Sequence, residues 1–321
     1  MTGTAARAGV EWTAAGGTAA DGGTALADCS SAAAAAVPPP LTPVRRTSAV
    51  SSALQGRSTS SRPALCCFIA TVPWSGSRLL SEALYNTGVA GHPHEFFRPD
   101  FRDAWAHQWD LSPEASIAEY ISAAKARTRT PNGVFSVKVH WDQLRWLYSE
   151  LASGAFFTRA HAAELVEARL APLQYVFLWR SDSARQAISY YRGEFDSDPV
   201  DLQQIRWFED VVVEHREKWR QYFATGGIEP IEVQYESLVT SYEETVARLL
   251  SQLGLQSGGS VSLERGRTLR READDRTEAI LAAYLPVRDH LAPKGPEVRW
   301  DASSKRFVIG DRRPAWPTRN F

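Results

Sequence analysis

The sequence predicts an α/β fold in which a parallel sheet carries helices on both faces. Short apolar segments alternate with helical segments from residue 64 onward. The segment 173–180 is almost wholly apolar, which is typical of a strand buried on both faces of a parallel sheet. The apolar segment 65–71 leads into Ser75-Gly76-Ser77 and then into helically spaced leucines. This strand–turn–helix order is the repeating unit of such folds.

The other elements follow from spacing and from turn residues. Residues 134–140 alternate with period two after the turn at 131–133, so Ser136, Lys138 and His140 should share one strand face. Further strands are expected at 173–180 and 228–234. Helices are expected at 77–87, 113–127, 160–170, 201–224, 241–254 and 271–290, and one more should begin at Asp182 or Ser183, both good N-cap residues.

Composition divides the chain into three parts. Residues 1–62 consist largely of Ala, Gly, Ser, Thr and Pro and lack the apolar side chains needed for a core, so we expect disorder there. A misassigned translation start is another explanation of this segment. Residues 63–292 should form one domain, and residues 293–321 an irregular C-terminal tail.

Bulk properties exclude several classes of function. The formal net charge of −1 provides no general attraction to nucleic acid, and no apolar run is long enough to span a membrane. The three cysteines, Cys29, Cys66 and Cys67, lack the spacing of a disulfide framework or a metal site. We therefore expect a cytoplasmic protein that binds no metal.

The turn at Ser75-Gly76-Ser77 is a candidate anion site. Backbone N–H groups of the turn and of the following helix N-terminus would point at one position, and two hydroxyls add donors. The turn lacks the spacing and the lysine of a nucleotide triphosphatase loop. An ordinary strand–turn–helix corner is the alternative interpretation.

Two further polar residues end predicted strands. His140 ends the strand at 134–140, and Arg180 ends the strand at 173–180. The carboxyl ends of parallel strands meet at one edge of a sheet, where ligands of α/β proteins bind. These residues and the turn at 75–77 should therefore line one cleft.

Several motifs, in this order, resemble those of PAPS-dependent sulfotransferases, and among them the trehalose 2-sulfotransferase group of actinobacteria. The matching segments are Pro73–Leu80, Gly88–Phe97, Thr130–Val134 with Lys138, Trp179–Asp182 with Gln186–Ser189, and Arg271–Asp274. The resemblance implies a P-loop-like parallel sheet flanked by helices on both faces, the sulfotransferase fold. It also implies 3′-phosphoadenylyl sulfate (PAPS) as donor, adenosine 3′,5′-bisphosphate as product, and a small-molecule hydroxyl as acceptor. Members of the family often form dimers, so a homodimer is an expected assembly.

The resemblance assigns residues to the donor. Ser75, Gly76 and Ser77 would bind the 5′-phosphosulfate, with Arg78 in the first helical turn, and Arg180 with Ser189 would bind the 3′-phosphate. Arginine suits a phosphate because its planar fork is always charged. An edge salt bridge and a helix-surface hydroxyl are the alternatives for Arg180 and Ser189. Arg271 would close over the nucleotide, or else form an exposed helix pair with Asp274.

Glu95 is the candidate general base, and Lys138 and Arg78 are the candidate catalytic cations. We expect a partly apolar pocket to raise the pKa of Glu95. His92 and His94 are rival bases, since histidine is the commonest one. A capping carboxylate and a solvated lysine are the alternatives for Glu95 and Lys138.

The residues expected to bind the acceptor lie beside Glu95 and at the end of the strand that contains Lys138. They are His94, Glu95, Phe96, His140 and Trp141.

The sequence departs from the family at Trp74, where a cation normally precedes Ser-Gly-Ser. Trp74 cannot replace that charge, although its position still places it among the donor-binding residues. We expect Arg78 and Lys138 to compensate. A P-loop small-molecule kinase, or a nucleotide-binding protein with little catalysis, are the alternatives.

Overall fold

A computed structural model describes residues 65–151, 159–195, 199–256, 274–295, 298–301 and 306–309. A four-stranded parallel sheet lies at the centre. Its strands are β1 (Leu65–Thr71), β2 (Val134–His140), β3 (Leu173–Trp179) and β4 (Ile231–Gln234), in the order β2-β1-β3-β4. The predicted parallel sheet is confirmed, and β4 begins three residues later than expected.

Ten α-helices are described. They are α1 (Ser77–Thr87), α2 (Arg102–Gln108), α3 (Ile117–Thr128), α4 (Trp141–Leu151), α5 (Arg159–Leu170), α6 (Ser183–Glu194), α7 (Leu202–Gly226), α8 (Tyr235–Thr240), α9 (Tyr242–Gln252) and α10 (Asp275–Tyr284). Short 3-10 turns occur at Pro99–Phe101 and Arg288–His290.

Both faces of the sheet are covered, as the apolar strands predict. Cys66, Phe68 and Ala70 of β1 face a large core built mainly from α2 to α7 and α10. Cys67 and Ile69 face a smaller core beneath α1, α8 and α9. All five side chains are completely buried, and β1 is an inner strand of the sheet, paired with β2 and β3.

Side-chain caps determine where several helices begin. Ser116 and Glu119 form a capping box, so α3 starts four residues later than the sequence suggested. Asp182 accepts a hydrogen bond from the backbone N–H of Arg185 at 2.9 Å, which confirms the N-cap predicted for α6. Asp274 caps α10 in the same way through Thr277.

Helices α2, α4 and α8 were not predicted. The buried faces of α2 and α4 include tryptophans, among them Trp105 of α2 and Trp141 of α4, which are 2% and 7% exposed. Each face is completed by aromatic partners from distant segments, such as Phe96 and Trp219. Tertiary packing therefore stabilises these helices more than local pattern does.

The chain ends differ in what is described. Residues 1–62 lie outside the described residues, so their expected disorder stays a prediction. In the tail, β5 (Val298–Asp301) and β6 (Arg306–Ile309) pair antiparallel, which differs from the irregular structure expected there. For residues 296–297, 302–305 and 310–321, which lie outside the described residues, that expectation stays a prediction. The alternation of apolar and polar residues in Val298–Asp301 explains the pairing. Within the described ranges, every helix is too short or too polar to cross a membrane.

The strand order positions the site. The chain leaves β1 for β2 on one side of the sheet and later returns to β3 on the other side. The turn after β1 therefore lies where the strand order reverses, the position at which α/β sheets bind ligands.

Candidate active site

The turn after β1 is shaped by two residues with left-handed backbone. Trp74 has φ of 62° and Gly76 has φ of 86°. A Cβ at Gly76 would lie 2.3 Å from the Tyr235 ring, so only glycine fits there. Ser75 Oγ lies 2.5 Å from Thr71 Oγ1, which ties the turn to the end of β1. Ser77 then begins α1, and Gly76 has no side chain to cap the N–H groups of that helix.

Trp74 is half-buried, and its indole packs on α6. A Cβ at Gly193 would lie 1.8 Å from the indole, and the Tyr190 ring is 6.5 Å away. Gln186 of the same helix donates to the carbonyl of Pro73 at 2.7 Å. Because of these contacts, Trp74 secures the turn to α6.

Arg180 follows β3 and is 8% exposed. Its guanidinium carbon lies 4.6 Å from the centre of the Tyr235 ring. Burial lowers the pKa of Arg180, and its Nε has no hydrogen-bond partner among the described residues. A buried guanidinium with an unused donor suits an anionic ligand.

Tyr235 brings the turn and Arg180 together. One ring contacts the Gly76 backbone position and also stacks beneath the Arg180 guanidinium. The two predicted anion contacts are therefore neighbours at the same edge of the sheet. Sequence reasoning missed Tyr235, although it directly follows β4 and the rule applied to His140 and Arg180 would have found it.

The other residues that were predicted to bind the sulfuryl donor lie in different surroundings. Ser189 is half-buried in α6, and its hydroxyl donates to the carbonyl of Arg185 at 2.8 Å. Arg78 is exposed in the first turn of α1. Arg271 lies outside the described residues.

Glu95 lies among cations at the end of β2. Its Oε1 is 2.8 Å from Lys138 Nζ and 3.5 Å from His140 Nε2. Its Oε2 accepts a hydrogen bond from Gln143 at 2.8 Å and lies 3.8 Å from Arg98. The carboxylate is thus surrounded by donors on both oxygens.

This environment corrects the expected pKa of Glu95. Burial raises the pKa of the carboxyl, but Lys138, His140 and Arg98 together outweigh burial and hold it well below its usual range. Ionised Glu95 is stabilised because nearby opposite charges and hydrogen bonds favour the charged form. The sequence could not show this, since Lys138 lies 43 positions away along the chain.

The partly buried ring of His94 lies against aromatic residues of the core. Its ring packs against Phe96 and Trp105 at 5.8 and 5.4 Å, and its carbonyl accepts the Lys138 backbone N–H at 3.0 Å. Burial, aided by the charge of Lys138, lowers the pKa of His94 to about 4. Its backbone therefore joins the Glu95 segment to β2. The ring of the other rival, His92, lies 4.7 Å from that of Tyr85.

Two of the predicted acceptor residues belong to the core. Phe96 is completely buried, and Trp141 packs edge-on against Trp219 with ring centres 5.3 Å apart. His140 differs, because its Nδ1 has no hydrogen-bond partner in the described part of the chain. His140 is therefore the better placed of the three to contact a ligand.

Gln143 and Arg98 were also missed. Gln143 was missed because α4, the helix that carries it, was not predicted. Arg98 was missed because only the structure shows its contact with Glu95. No group of three or more His, Cys, Asp or Glu side chains in the described ranges could hold a metal ion.

Comparison with known proteins identifies the family. The model of the Stf0 sulphotransferase family matches residues 66–284, which include all of the parallel sheet except Leu65 and all of the site described above. The chain belongs to this family. Membership makes it a sulfotransferase and does not favour the kinase alternative.

Related sulfotransferases are known from mycobacteria. Trehalose 2-sulfotransferase of Mycolicibacterium smegmatis is 28% identical over 252 residues, covering 65% of this chain and 90% of the relative. The enzyme of that name from Mycobacterium tuberculosis is 27% identical over 248 residues, with the same coverage. Among solved structures, the sulfotransferase domain of the Synechococcus PCC 7002 olefin synthase is 16% identical with a TM-score of 0.37, covering 72% of this chain and 97% of that domain.

Proposed function

We propose that this sulfotransferase transfers a sulfuryl group from PAPS to a hydroxyl of a sugar, a glycoside or another small metabolite. The contact of Tyr235 with both Gly76 and Arg180 carries the proposal. It supports one cleft that binds the two anionic ends of the donor nucleotide. We propose that the protein acts in the cytoplasm, and the homodimer stays a prediction.

The donor supplies an activated sulfuryl group, and the residues present fit its two anionic ends. Ser75, Gly76 and Ser77 would hold the phosphosulfate through N–H groups and hydroxyls at the N-terminus of α1. Arg180 would hold the 3′-phosphate with its unused Nε donor, and Ser189 lies on the helix that follows. The absence of a Cβ at Gly76 lets the Tyr235 ring pack against the turn and so bring Arg180 beside it.

Lys138 and Glu95 would act at the reacting centre. Thr71, at the base of the turn, is paired in register with His140 of the neighbouring strand β2. Because Glu95 contacts Lys138 and His140, these three residues lie one strand away from the turn. Lys138 is 6% exposed and could neutralise charge on the sulfuryl oxygens. Such positioned charges lower the barrier because they need no reorganisation during the reaction.

Glu95 would receive the proton of the acceptor hydroxyl, with His140 beside it. In the free protein the ammonium of Lys138 keeps Glu95 ionised and therefore a weak base. Glu95 gains proton affinity when a second anion shares Lys138, because like charges nearby raise the pKa of a carboxyl. This would link proton transfer to occupation of the donor site.

The mycobacterial relatives are trehalose 2-sulfotransferases, so a disaccharide is the first acceptor to test. The test measures transfer of labelled sulfate from PAPS to trehalose and to a panel of sugars and glycosides. Thermal-shift titration with adenosine 3′,5′-bisphosphate and with ATP measures nucleotide choice. We expect stabilisation by the bisphosphate at concentrations where ATP has little effect. Preference for ATP would overturn the proposed donor, and binding without transfer to any acceptor would support the weakly catalytic alternative.

A further inference from the structure

The side chain of Gln143 makes two hydrogen bonds at the start of α4. Gln143 is the third residue of α4, and it is 2% exposed. Its Oε1 accepts the backbone N–H of His140, the residue preceding the helix, at 3.2 Å. This is the reciprocal half of a capping box, in which a Gln or Glu at the third helical position satisfies the N-cap N–H.

The capping contact determines which way the amide points. A backbone N–H can be satisfied only by the oxygen of the amide, so the NH₂ group must point the other way. There it donates to Glu95 Oε2 at 2.8 Å. Since an NH₂ group can only donate, Gln143 favours an Oε2 that carries no proton.

The two oxygens of Glu95 therefore have separate partners. Oε2 is held by Gln143, with Arg98 at 3.8 Å, while Oε1 faces Lys138 and His140. Rotation of the carboxylate would exchange these partners and break the contact with Gln143.

We propose that Gln143 is a positioning residue that fixes the Glu95 carboxylate, so that Oε1 alone is presented to Lys138, His140 and the acceptor. The inference rests on the proposed role of Glu95. It assigns to α4 a function in catalysis as well as in the fold.

The substitution Gln143→Glu separates the two roles. A Glu at this position caps a helix as well as Gln does, and a negative charge is favourable near a helix N-terminus. Toward Glu95, however, it replaces a donor by a second carboxylate. A purely structural Gln143 predicts no change in activity, whereas a positioning Gln143 predicts a loss.

We expect Gln143→Glu to lower kcat by roughly tenfold or more, the size of a lost hydrogen bond to a charged group, with little change in the KM for the donor. The acid limb of the kcat–pH profile should move to higher pH, because a like charge raises the pKa of Glu95. The other charged or titratable groups facing Glu95 are Lys138 and His140 from β2 and Arg98 and His94 from its own segment. None of them is altered by the substitution.

Gln143→Met is the second variant, because it removes the hydrogen bonds without adding a charge. This variant should also lower kcat. The acid limb of its kcat–pH profile should move less than that of Gln143→Glu. Gln203→Glu is the matched control, since Gln203 is an exposed residue in the first turn of α7. That control should keep wild-type kcat and pH dependence. If Gln143→Glu and Gln143→Met both keep the wild-type kcat and profile, the inference is wrong.

A carbon NMR titration of the side-chain carboxyls, with Glu95 assigned through Glu95→Gln, gives a measurement independent of turnover. Glu95 should titrate at higher pH in Gln143→Glu than in the wild type. An unchanged Glu95 titration would contradict the inference even if sulfate transfer is observed. Conversely, Glu95 could titrate at higher pH in Gln143→Glu while the wild-type protein transfers no sulfate. That result would contradict the proposed function and still establish the contact between Glu95 and Gln143.

Discussion

The indole of Trp74 lies directly on Gly193. The two positions are 119 residues apart, and a Cβ at Gly193 would lie 1.8 and 2.1 Å from two carbons of the ring. The glycine in α6 therefore makes room for Trp74, which lies in the turn proposed to bind the phosphosulfate. The contact joins the proposed 5′ binding element to the helix that carries Ser189.

Gly193→Ala should therefore weaken both stability and nucleotide binding. Alanine is preferred over glycine within a helix by about 1 kcal/mol, but overpacking costs about 1–3 kcal/mol. Because the clash involves the rigid indole, we expect a net loss in urea unfolding and a higher Kd for adenosine 3′,5′-bisphosphate by calorimetry. The double variant Gly193→Ala with Trp74→Ala should lose less than the sum of the single changes. Strict additivity would show that the two residues are not coupled.

Arg180→Lys should reduce bisphosphate affinity by about 10-fold or more, because lysine provides neither the planar fork nor the stacking on Tyr235. Isothermal titration calorimetry measures the change. Arg220→Lys is a matched control, since Arg220 lies 5.7 Å above the Trp179 ring on the exposed surface of α7. Equal losses in the two variants would argue against phosphate binding by Arg180.

Arg78→Ala tests the compensation for the missing cation at position 74. If Arg78 and Lys138 supply that charge, kcat/KM for the donor should fall by about 10-fold or more, as for loss of a hydrogen bond from a charged group. Steady-state kinetics with varied PAPS measures this. Arg248→Ala, at an exposed position of α9, should be neutral. Near-normal turnover of Arg78→Ala would show that the turn functions without a nearby guanidinium.

Glu95→Gln should be destabilising, and the effect should depend on pH. Breaking a buried ion pair costs about 3–5 kcal/mol, and the side chains of Lys138 and Glu95 are only 7% and 18% exposed. The folded pKa of Glu95 lies below the unfolded value of 4.5, so its stabilisation is complete above that pH and is lost as the pH falls through the folded pKa. The difference between wild type and variant should therefore shrink in acid.

Urea unfolding between neutral pH and pH 3 measures this difference. Glu217→Gln, which removes an exposed pair with Arg220, should give a small effect at every pH. If Glu95→Gln lowers the free energy of unfolding by the same amount at every pH in this range, the pKa of the Glu95 carboxyl is not lowered by folding.

Much of the fold could be predicted from local pattern. The apolar strands at 65–71 and 173–179 must be buried on both faces, whichever helices cover them. The parallel arrangement then brings Ser75-Gly76-Ser77, His140 and Arg180 to one edge, because all strands end there. Helix α4 was not predicted although its buried residues Trp141, Leu144 and Leu147 have helical spacing. Its packing against Trp219 and Tyr222 of α7 is visible only in the fold.

The sequence alone determined the family, the sheet and the edge at which chemistry should occur, since these depend on residue type and on spacing within a segment. Only the tertiary structure decided the charge state of Glu95, the contact of Trp74 with Gly193, and the use of Gln143. Each of these depends on groups that are distant along the chain or approach from another element, and electrostatic and packing energies depend on distance in space.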